Sequence, residues 1–473
     1  MLKVAISFSG FENALKYLAT EIPHWDIKTV ALAGKKAWEK KLEKIKIKTN
    51  SEEQKKIFYT ALYHTMIQPR DRTGDNPKAW PGNQPYWDDN YAIWDAWRTT
   101  YPLLLLVDPD MVRSNILSFM DRLKYNGGVY DAFIAGNDMQ NEQGGNNVDN
   151  VIVDAYRKGL SGINWKEAYK IVKNNADHNR KGMSLRPFPN HDNTFYRRYG
   201  WLPFGNITSS YTLEYNYNDF CAATMAKGLG KMDDYAQYFE RSKGWKNLWD
   251  STTNNRGYYG FVGSITKEGN FVEFDYEKHP DTWSTPFYEA NSWTYSLFIP
   301  HDIDGMIQKM GGKKQFAERL DFAFKNELIA YWNEPAFLTI RLLNYADRPD
   351  LASYWTHRIL NEKYDITGYP ENDDTGAMSS WYVFSALGIF PNAGQDIYYL
   401  NAPIYKKSVI KLENRNTITI KATNVSKENI YIKSCKINNK VWNEPIIHHS
   451  DIANGAVIEF ELAEKATSWG QEL

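Results

Sequence analysis

Four short stretches of this chain set carboxylates and amides among aromatic side chains, a combination suited to acid–base work on a polar ring-shaped substrate. In Ile93-Trp94-Asp95-Ala96-Trp97-Arg98 the acid and the guanidinium stand three apart. On one helix face they could pair with each other, or bind sugar hydroxyls beside two Trp faces. Glu289 lies within Phe287-Tyr288-Glu289-Ala290-Asn291-Ser292-Trp293. Apolar neighbours disfavour a carboxylate anion and raise its pKa, which would keep a proton available for a leaving oxygen near neutral pH. The same Glu could instead open a helix, favoured there by the dipole. Tyr331-Trp332-Asn333-Glu334-Pro335 offers adjacent amide and carboxylate oxygens that suit a hard cation such as Ca²⁺. A helix start with Asn333 as cap and Pro335 near the first position explains those residues equally well. Glu371-Asn372-Asp373-Asp374-Thr375-Gly376 crowds three acids into four positions. Their mutual repulsion needs a cation, donors or water to offset it, and a plain cap would need only one of them. One carboxyl in an apolar setting and another in a polar, acidic one form the pair that glycoside hydrolysis requires.

Elements must bring these stretches together. Ser51-Glu52-Glu53-Gln54 reads as a capping box opening a helix with Ile57, Phe58, Ala61, Leu62 and Met66 on one stripe. Helical patterns recur near 90–104, 109–125, 147–160, 165–179, 212–228, 231–247, 288–298, 301–311, 314–325, 334–346, 350–362 and 376–388. The connections 70–89, 126–146, 180–211 and 248–287 are long and rich in Trp, Asn, Gly, Pro and Asp. Connections of that length in a compact domain are usually functional. The pattern fits about six helical hairpins closed into a mainly α, (α/α)6 toroid with the loops at one rim. After Pro391, segments 408–413, 416–422, 428–435 and 456–462 alternate with period two, predicting a small antiparallel β unit. At the other end Val4–Ser9 alternates like a strand, Phe11–Ile22 reads as a helix and 35–48 as a solvated, Lys/Glu-rich linker helix. The division expected is therefore 1–48 strand and linker, 49–394 helical barrel, 395–473 β unit.

Composition excludes several classes. With 56 basic and 57 acidic residues the net charge is −1, so no overall field gathers nucleic acid or anionic lipid. Two cysteines make no disulfide framework or zinc set. No apolar run is long enough to span a membrane, and the opening MLKVAISFSG lacks the apolar core of a signal peptide. No phosphate loop, GxSxG elbow or HExxH motif occurs. The 15% aromatic content suits saccharide stacking or a large aromatic core.

Ordered blocks through nearly the whole chain carry a resemblance. They are EEQKKIFYTALYHTMIQP (52–69), IWDAWRTTYPLLLLVDP (93–109), VIVDAYRKG (151–159), YEANSWTYSLFIPHDIDGMIQKMGG (288–312), NEPAF (333–337), NDDTGAMSSWYVFSALGIFPNAG (372–394) and DIANGAVIEFEL (451–462). Together they resemble the calcium-dependent exo-α-mannosidases of glycoside hydrolase family 92. The resemblance implies an N-terminal β-sandwich followed by an (α/α)6 barrel, and removal of terminal mannose from glycans or mannans with inversion at the anomeric carbon. By position it makes Glu289 the general acid and Asp374 the general base, with Asn372 and Asp373 in support. It makes Asn333 and Glu334 ligands of Ca²⁺, and Trp94, Asp95, Arg98 and Trp332 sugar contacts. Tyr331-Trp332 stands where the family often has His-Gly, and Leu338-Thr339 replaces its usual His pair, at positions that shape the site for the departing sugar. Most of the sandwich is expected to be missing, with VAISFS near its last strand. A separate sandwich domain is then an expected partner, and a periplasmic or secreted location would depend on a signal lying upstream. The competing expectations are a catalytically incomplete carbohydrate-binding homologue and another (α/α)6 glycosidase or lyase.

Overall fold

The computed structural model describes residues 2–78, 80, 84–129, 133–135, 138–140, 144–178, 194–278, 286–369 and 371–471. Of the long connections, 180–193 and 279–285 lie outside the described residues.

The chain is mainly helical, and burial explains where the helices sit. Thr100–Val107 and Ala377–Leu387 are buried at every position. A helix apolar all round belongs in a core rather than at a surface, and Ala377–Leu387 packs against both Thr100–Val107 and the helix Glu52–His64. The 21-residue helix Thr208–Gly228 is likewise buried over most of its length and packs against Met232–Arg241, Asn147–Arg157 and Trp165–Asp177. The capping box at Ser51 forms by half: Ser51 Oγ accepts from the Gln54 amide at 3.1 Å, while the Gln54 side chain takes the Thr49 hydroxyl at 2.6 Å instead of reaching back.

Several expected helices are shorter than their patterns, each for a local reason. The 90–104 pattern divides into Ile93–Ala96 and Thr100–Val107. The 288–298 pattern yields only Ser292–Tyr295, because Glu289 adopts a left-handed φ of 49° and the cap falls at Asn291, whose side chain accepts from Thr294 N at 2.9 Å. The 334–346 pattern winds into tighter 3₁₀ turns at Glu334–Ala336 and Thr339–Ala346. Within 248–287 a hairpin of Trp249–Asn255 and Tyr258–Val262 replaces irregular loop.

The C-terminal β unit differs from expectation in two ways. Its six strands run in the order 45–48, 407–411, 417–423, 456–463, 431–437, 440–441. The neighbours 417–423 and 456–463 are parallel, so the sheet is mixed rather than antiparallel. Residues 45–48 are an edge strand rather than the end of a linker helix, which stops at Leu42. Ile45 is fully buried opposite Ile410, and a two-residue period fits that pairing where a helical one would expose it. A second, three-stranded sheet pairs Ile389–Asn392 with Ile397–Leu400, so residue 394 falls in a hairpin turn.

Val4–Ser9 is not a strand. Val4, Ile6 and Phe8 are 62%, 72% and 70% exposed. The segment is held instead by the Asp75 carboxylate, which accepts from Ser7 Oγ at 2.5 Å, Phe8 N at 2.7 Å, Ser9 N at 3.1 Å and the Ser9 hydroxyl.

Candidate active site

Three carboxylates from three distant stretches converge. Asp95, Glu334 and Asp374 bring carboxylate oxygens within 4.8 Å of one another, the one such acidic cluster among the described residues. Each comes from a segment with an unusual backbone. Left-handed Ala92 precedes the short helix carrying Asp95, Glu334 starts a 3₁₀ turn, and Asp374 and Thr375 are themselves left-handed. Strained backbone concentrates at functional sites, where the surrounding packing over-determines it.

The electrostatics of the cluster are severe. Asp95 is fully buried and its carboxyl is pushed well above the usual range, first by burial, then by Glu334, Asp374 and Glu289, with Arg98 opposing. Glu334 is raised likewise, by burial and then by Asp374 and Glu289. Asp374 is pushed up to about 6 by burial, Glu289 and Asp373. Three close carboxyls cannot all ionise without a compensating charge. Glu334 Oε1 is buried and makes no hydrogen bond among the described residues. Oxygen-only donors, crowded anions and an unsatisfied acceptor fit a hard divalent cation. Asp95 and Asp374, expected as a sugar contact and a base, thus stand in the same cluster as Glu334.

Asn333 bridges two of these segments. Its Oδ1 accepts from Glu334 N at 2.8 Å and its Nδ2 donates to the Glu289 carbonyl at 2.7 Å. It caps the 3₁₀ turn, as the bland reading has it, and pins the backbone of the expected acid. The neighbouring Tyr288 is fixed at both ends: its N–H donates to Ser210 Oγ at 2.6 Å, and its carbonyl accepts from Tyr295 OH at 3.1 Å. Glu289 itself is partly exposed, in left-handed conformation two residues before the Asn291 cap, so it is not a helix-start residue.

Beneath the acids lies a buried pair that sequence reasoning missed. Arg98 donates through Nη2 to Glu214 Oε1 at 2.5 Å and through Nε to the Trp94 carbonyl at 3.1 Å. Arg98 therefore pairs with Glu214, not with Asp95, although both acids are completely buried. The Trp94 indole N–H donates to the same Glu214 oxygen at 3.1 Å, and its ring is 0% exposed. Trp94 and Arg98 thus underlie the site instead of offering a face to a sugar. Trp94 packs edge-on against Tyr288 at 5.2 Å. Trp332 is partly exposed, edge-on to Tyr331 at 4.8 Å. A signal for Glu214 existed: it is the one charged residue in the run Thr208–Asn218.

The acidic turn separates its duties. Asn372 is exposed. Asp373 accepts from Ser379 N at 2.8 Å and Ser379 Oγ at 2.7 Å, capping the helix Ala377–Leu387 from outside. His64, also unforeseen, faces it with Nδ1 3.0 Å from Oδ2.

Comparison with known proteins gives the chain's family and fold. The profile of the glycosyl hydrolase family 92 catalytic domain matches residues 13–464. An uncharacterized secreted glycosidase of Arthroderma benhamiae is 31% identical over 513 residues, covering 99% of this chain and 61% of that one. A family GH92 α-mannosidase of Bacteroides thetaiotaomicron superposes with a TM-score of 0.86 at 25% identity, over 98% of this chain and 62% of that chain. An inverting GH92 mannosidase of the same species, strain VPI-5482, gives 0.88 at 24% identity over 98% and 67%. At that identity the second likeness establishes the fold alone. The chain spans 61% and 62% of the length of the first two relatives.

Proposed function

The chain belongs to glycoside hydrolase family 92, and from that premise we propose that it forms the catalytic region of an inverting, exo-acting α-mannosidase that binds Ca²⁺ and removes terminal mannose from glycans or mannans. The observation that carries the reading is the cluster of buried Asp95 and Glu334 with half-buried Asp374, and Glu289 in electrostatic range of all three.

In this mechanism Glu289 donates its proton to the glycosidic oxygen as the bond to the anomeric carbon breaks. A water on the opposite face forms the new bond, and Asp374 takes the proton it releases. Both carboxyls are carried on pinned backbone: the Glu289 carbonyl accepts from Asn333 Nδ2 at 2.7 Å and the Asp374 carbonyl from Ala377 N at 3.2 Å. Asp95, Glu334 and Asp374 would hold Ca²⁺, with Asn333 at their edge, and the bound ion supplies a Lewis-acidic contact for sugar hydroxyls. Such a charge beside Asp374 favours its ionised form, the state a base needs. Trp332, partly exposed at the rim, is the ring available to a sugar face.

The helices read best as an (α/α)6 toroid spanning 49–394, since Ala377–Leu387, at the end of that span, returns to pack on Glu52–His64 at its start. Residues 395–473 then form the β unit, joined at its edge by the strand at the end of the 1–48 segment. Among the described residues no helix is long and apolar enough to cross a membrane, and secretion is proposed from the name of the fungal relative.

Glu289→Gln tests the assignment. On α-mannobiose, whose leaving group is a poor one, loss of the acid should lower kcat by roughly 10²–10⁴. A 4-nitrophenyl mannoside leaves without such help and should suffer less. Equal, unchanged rates on both substrates would remove Glu289 from the mechanism. Binding of Ca²⁺ and mannose without turnover by the wild type would favour a carbohydrate-binding homologue, and glucose or an unsaturated product would favour another (α/α)6 enzyme.

A further inference from the structure

Asp374, Thr375 and Gly376 occupy three successive left-handed positions, with φ of 40°, 60° and 77°. Left-handed backbone is unfavourable for the two non-glycine residues, so the surroundings must impose the turn. Part of the hold is local: Ala377 N donates to the Asp373 carbonyl at 2.7 Å, and Ser379 donates twice to the Asp373 carboxylate. Part comes from the segment before Asp95, where the Tyr91 carbonyl accepts from Thr375 Oγ1.

Thr100 Oγ1 donates to the Thr375 carbonyl at 3.3 Å, and a further part of the hold comes from the C-terminal end of helix Glu52–His64, 309 residues away along the chain. His64 Nδ1 lies 3.0 Å from Asp373 Oδ2 and 3.1 Å from Tyr369 OH, which in turn lies 2.7 Å from Ser379 Oγ. A carboxylate only accepts, so the ring nitrogen facing it carries the proton. Beside this contact, Gly376 rests on the backbone of Thr65 so closely that a Cβ would stand 2.6 Å from Thr65 Cα. The glycine and the histidine are two halves of one docking contact between that helix end and the acidic turn.

We propose that His64 is a positioning residue for Asp374. By fixing Asp373 together with Ser379 and Tyr369, it holds the left-handed turn that presents the next carboxyl to the site. This inference rests on the reading of Asp374 as the base, and it adds a residue that never touches substrate.

The test compares His64→Leu with His64→Asn, whose amide nitrogen falls where Nδ1 stands. With α-mannobiose and saturating Ca²⁺, His64→Leu should lower kcat by about ten- to a hundredfold, because misplacing a reacting group by about 1 Å carries penalties of that order. KM should stay within about threefold. His64→Asn should recover most of kcat, which a purely structural contribution to folding would not predict. Crystal structures of both variants give a readout independent of turnover: the leucine variant should lose the left-handed φ at Asp374 or displace its carboxyl, and the asparagine variant should retain both. If the wild type hydrolyses no mannoside, the functional reading fails while the geometric comparison still decides the inference. A leucine variant with an unchanged 373–376 turn and kcat within threefold of wild type overturns it.

Discussion

The buried pair beneath the site offers a quantitative test through Arg98→Met. Arg98 and Glu214 have side-chain exposures of 5% and 0%, and meet at 2.5 Å with the Trp94 indole on the same oxygen. Removing the guanidinium leaves Glu214 ionisable in a dry interior and also removes the cation that opposes the rise at Asp95 and Glu334. Breaking one side of a buried pair costs about 3–5 kcal/mol. With an unfolding entropy of about 2.1 cal/mol/K per residue, 473 residues unfolding together correspond to about 1 kcal/mol/K. The midpoint should then fall by about 3–5 °C at pH 7, measured by scanning calorimetry in EDTA. Glu214→Gln alone should cost a similar amount. The double variant Arg98→Met/Glu214→Gln should recover at least about 3 kcal/mol of the summed single losses, since it leaves no lone charge behind. Additive losses, or a single loss below about 1 kcal/mol, would refute the view that the two charges exist for each other.

Other consequences follow from single contacts. Glu334→Gln should raise the midpoint of the EDTA-treated protein by relieving the crowded acids, and should abolish the rise on adding Ca²⁺, which for the wild type at a hundredfold excess over Kd is about 2.7 kcal/mol, or near 3 °C. A Ca²⁺-induced rise retained in the variant would place the ion elsewhere. His357 is buried with Nε2 2.8 Å from the Ala402 carbonyl, and its pKa falls from 6.5 to about 4. The unfolded chain therefore binds the proton first, so this contribution is complete above about pH 6.5 and is lost as pH falls toward 4, by about 3 kcal/mol in all. His357→Gln should flatten the fall in midpoint across that window, and an equally steep fall would count against the assignment. Gly376→Ala forces a Cβ against Thr65 at a left-handed position, and should destabilise by about 1–3 kcal/mol. An unchanged melting curve would contradict that packing.

The carboxylates of the candidate site were legible as candidates because each sits among aromatic or acidic neighbours, although structural readings of Asp95 and Glu334 stood beside the functional ones. Asp95, Glu289, Glu334 and Asp374 all stood out as acids among aromatic or acidic neighbours, and the structure brings three of them into one cluster with the fourth in electrostatic range. Their partners were not legible. Glu214 and His64 act across 116 and 309 residues of sequence, and local pattern carries no information about such pairings. For the same reason the sequence offers Asp95 or sugar hydroxyls to Arg98, while its ion-pair partner Glu214 is remote. Asn333 was ambiguous for a different reason, since a cap and a ligand use the same oxygen. The helical mass was legible from its periodicity, but helix ends at 288–298 and 334–346 were not, because left-handed Glu289 and the 3₁₀ turn at Glu334 answer to the site and override local preference. The edge strand 45–48 and the parallel pair in the C-terminal sheet depend on partners far along the chain, whereas alternation at Val4–Ser9 predicted a strand where no partner pairs with it among the described residues.

The most direct measurement is a proton NMR time course of α-mannobiose hydrolysis by this chain with Ca²⁺, following the anomeric signal of the first mannose released from the non-reducing end. Glu289 as the acid and Asp374 as the base, acting from opposite faces of the sugar, require β-mannose to form first, with the α anomer growing in only by mutarotation. Release of α-mannose as the first product would mean a covalent intermediate, and would contradict the roles given to both carboxyls.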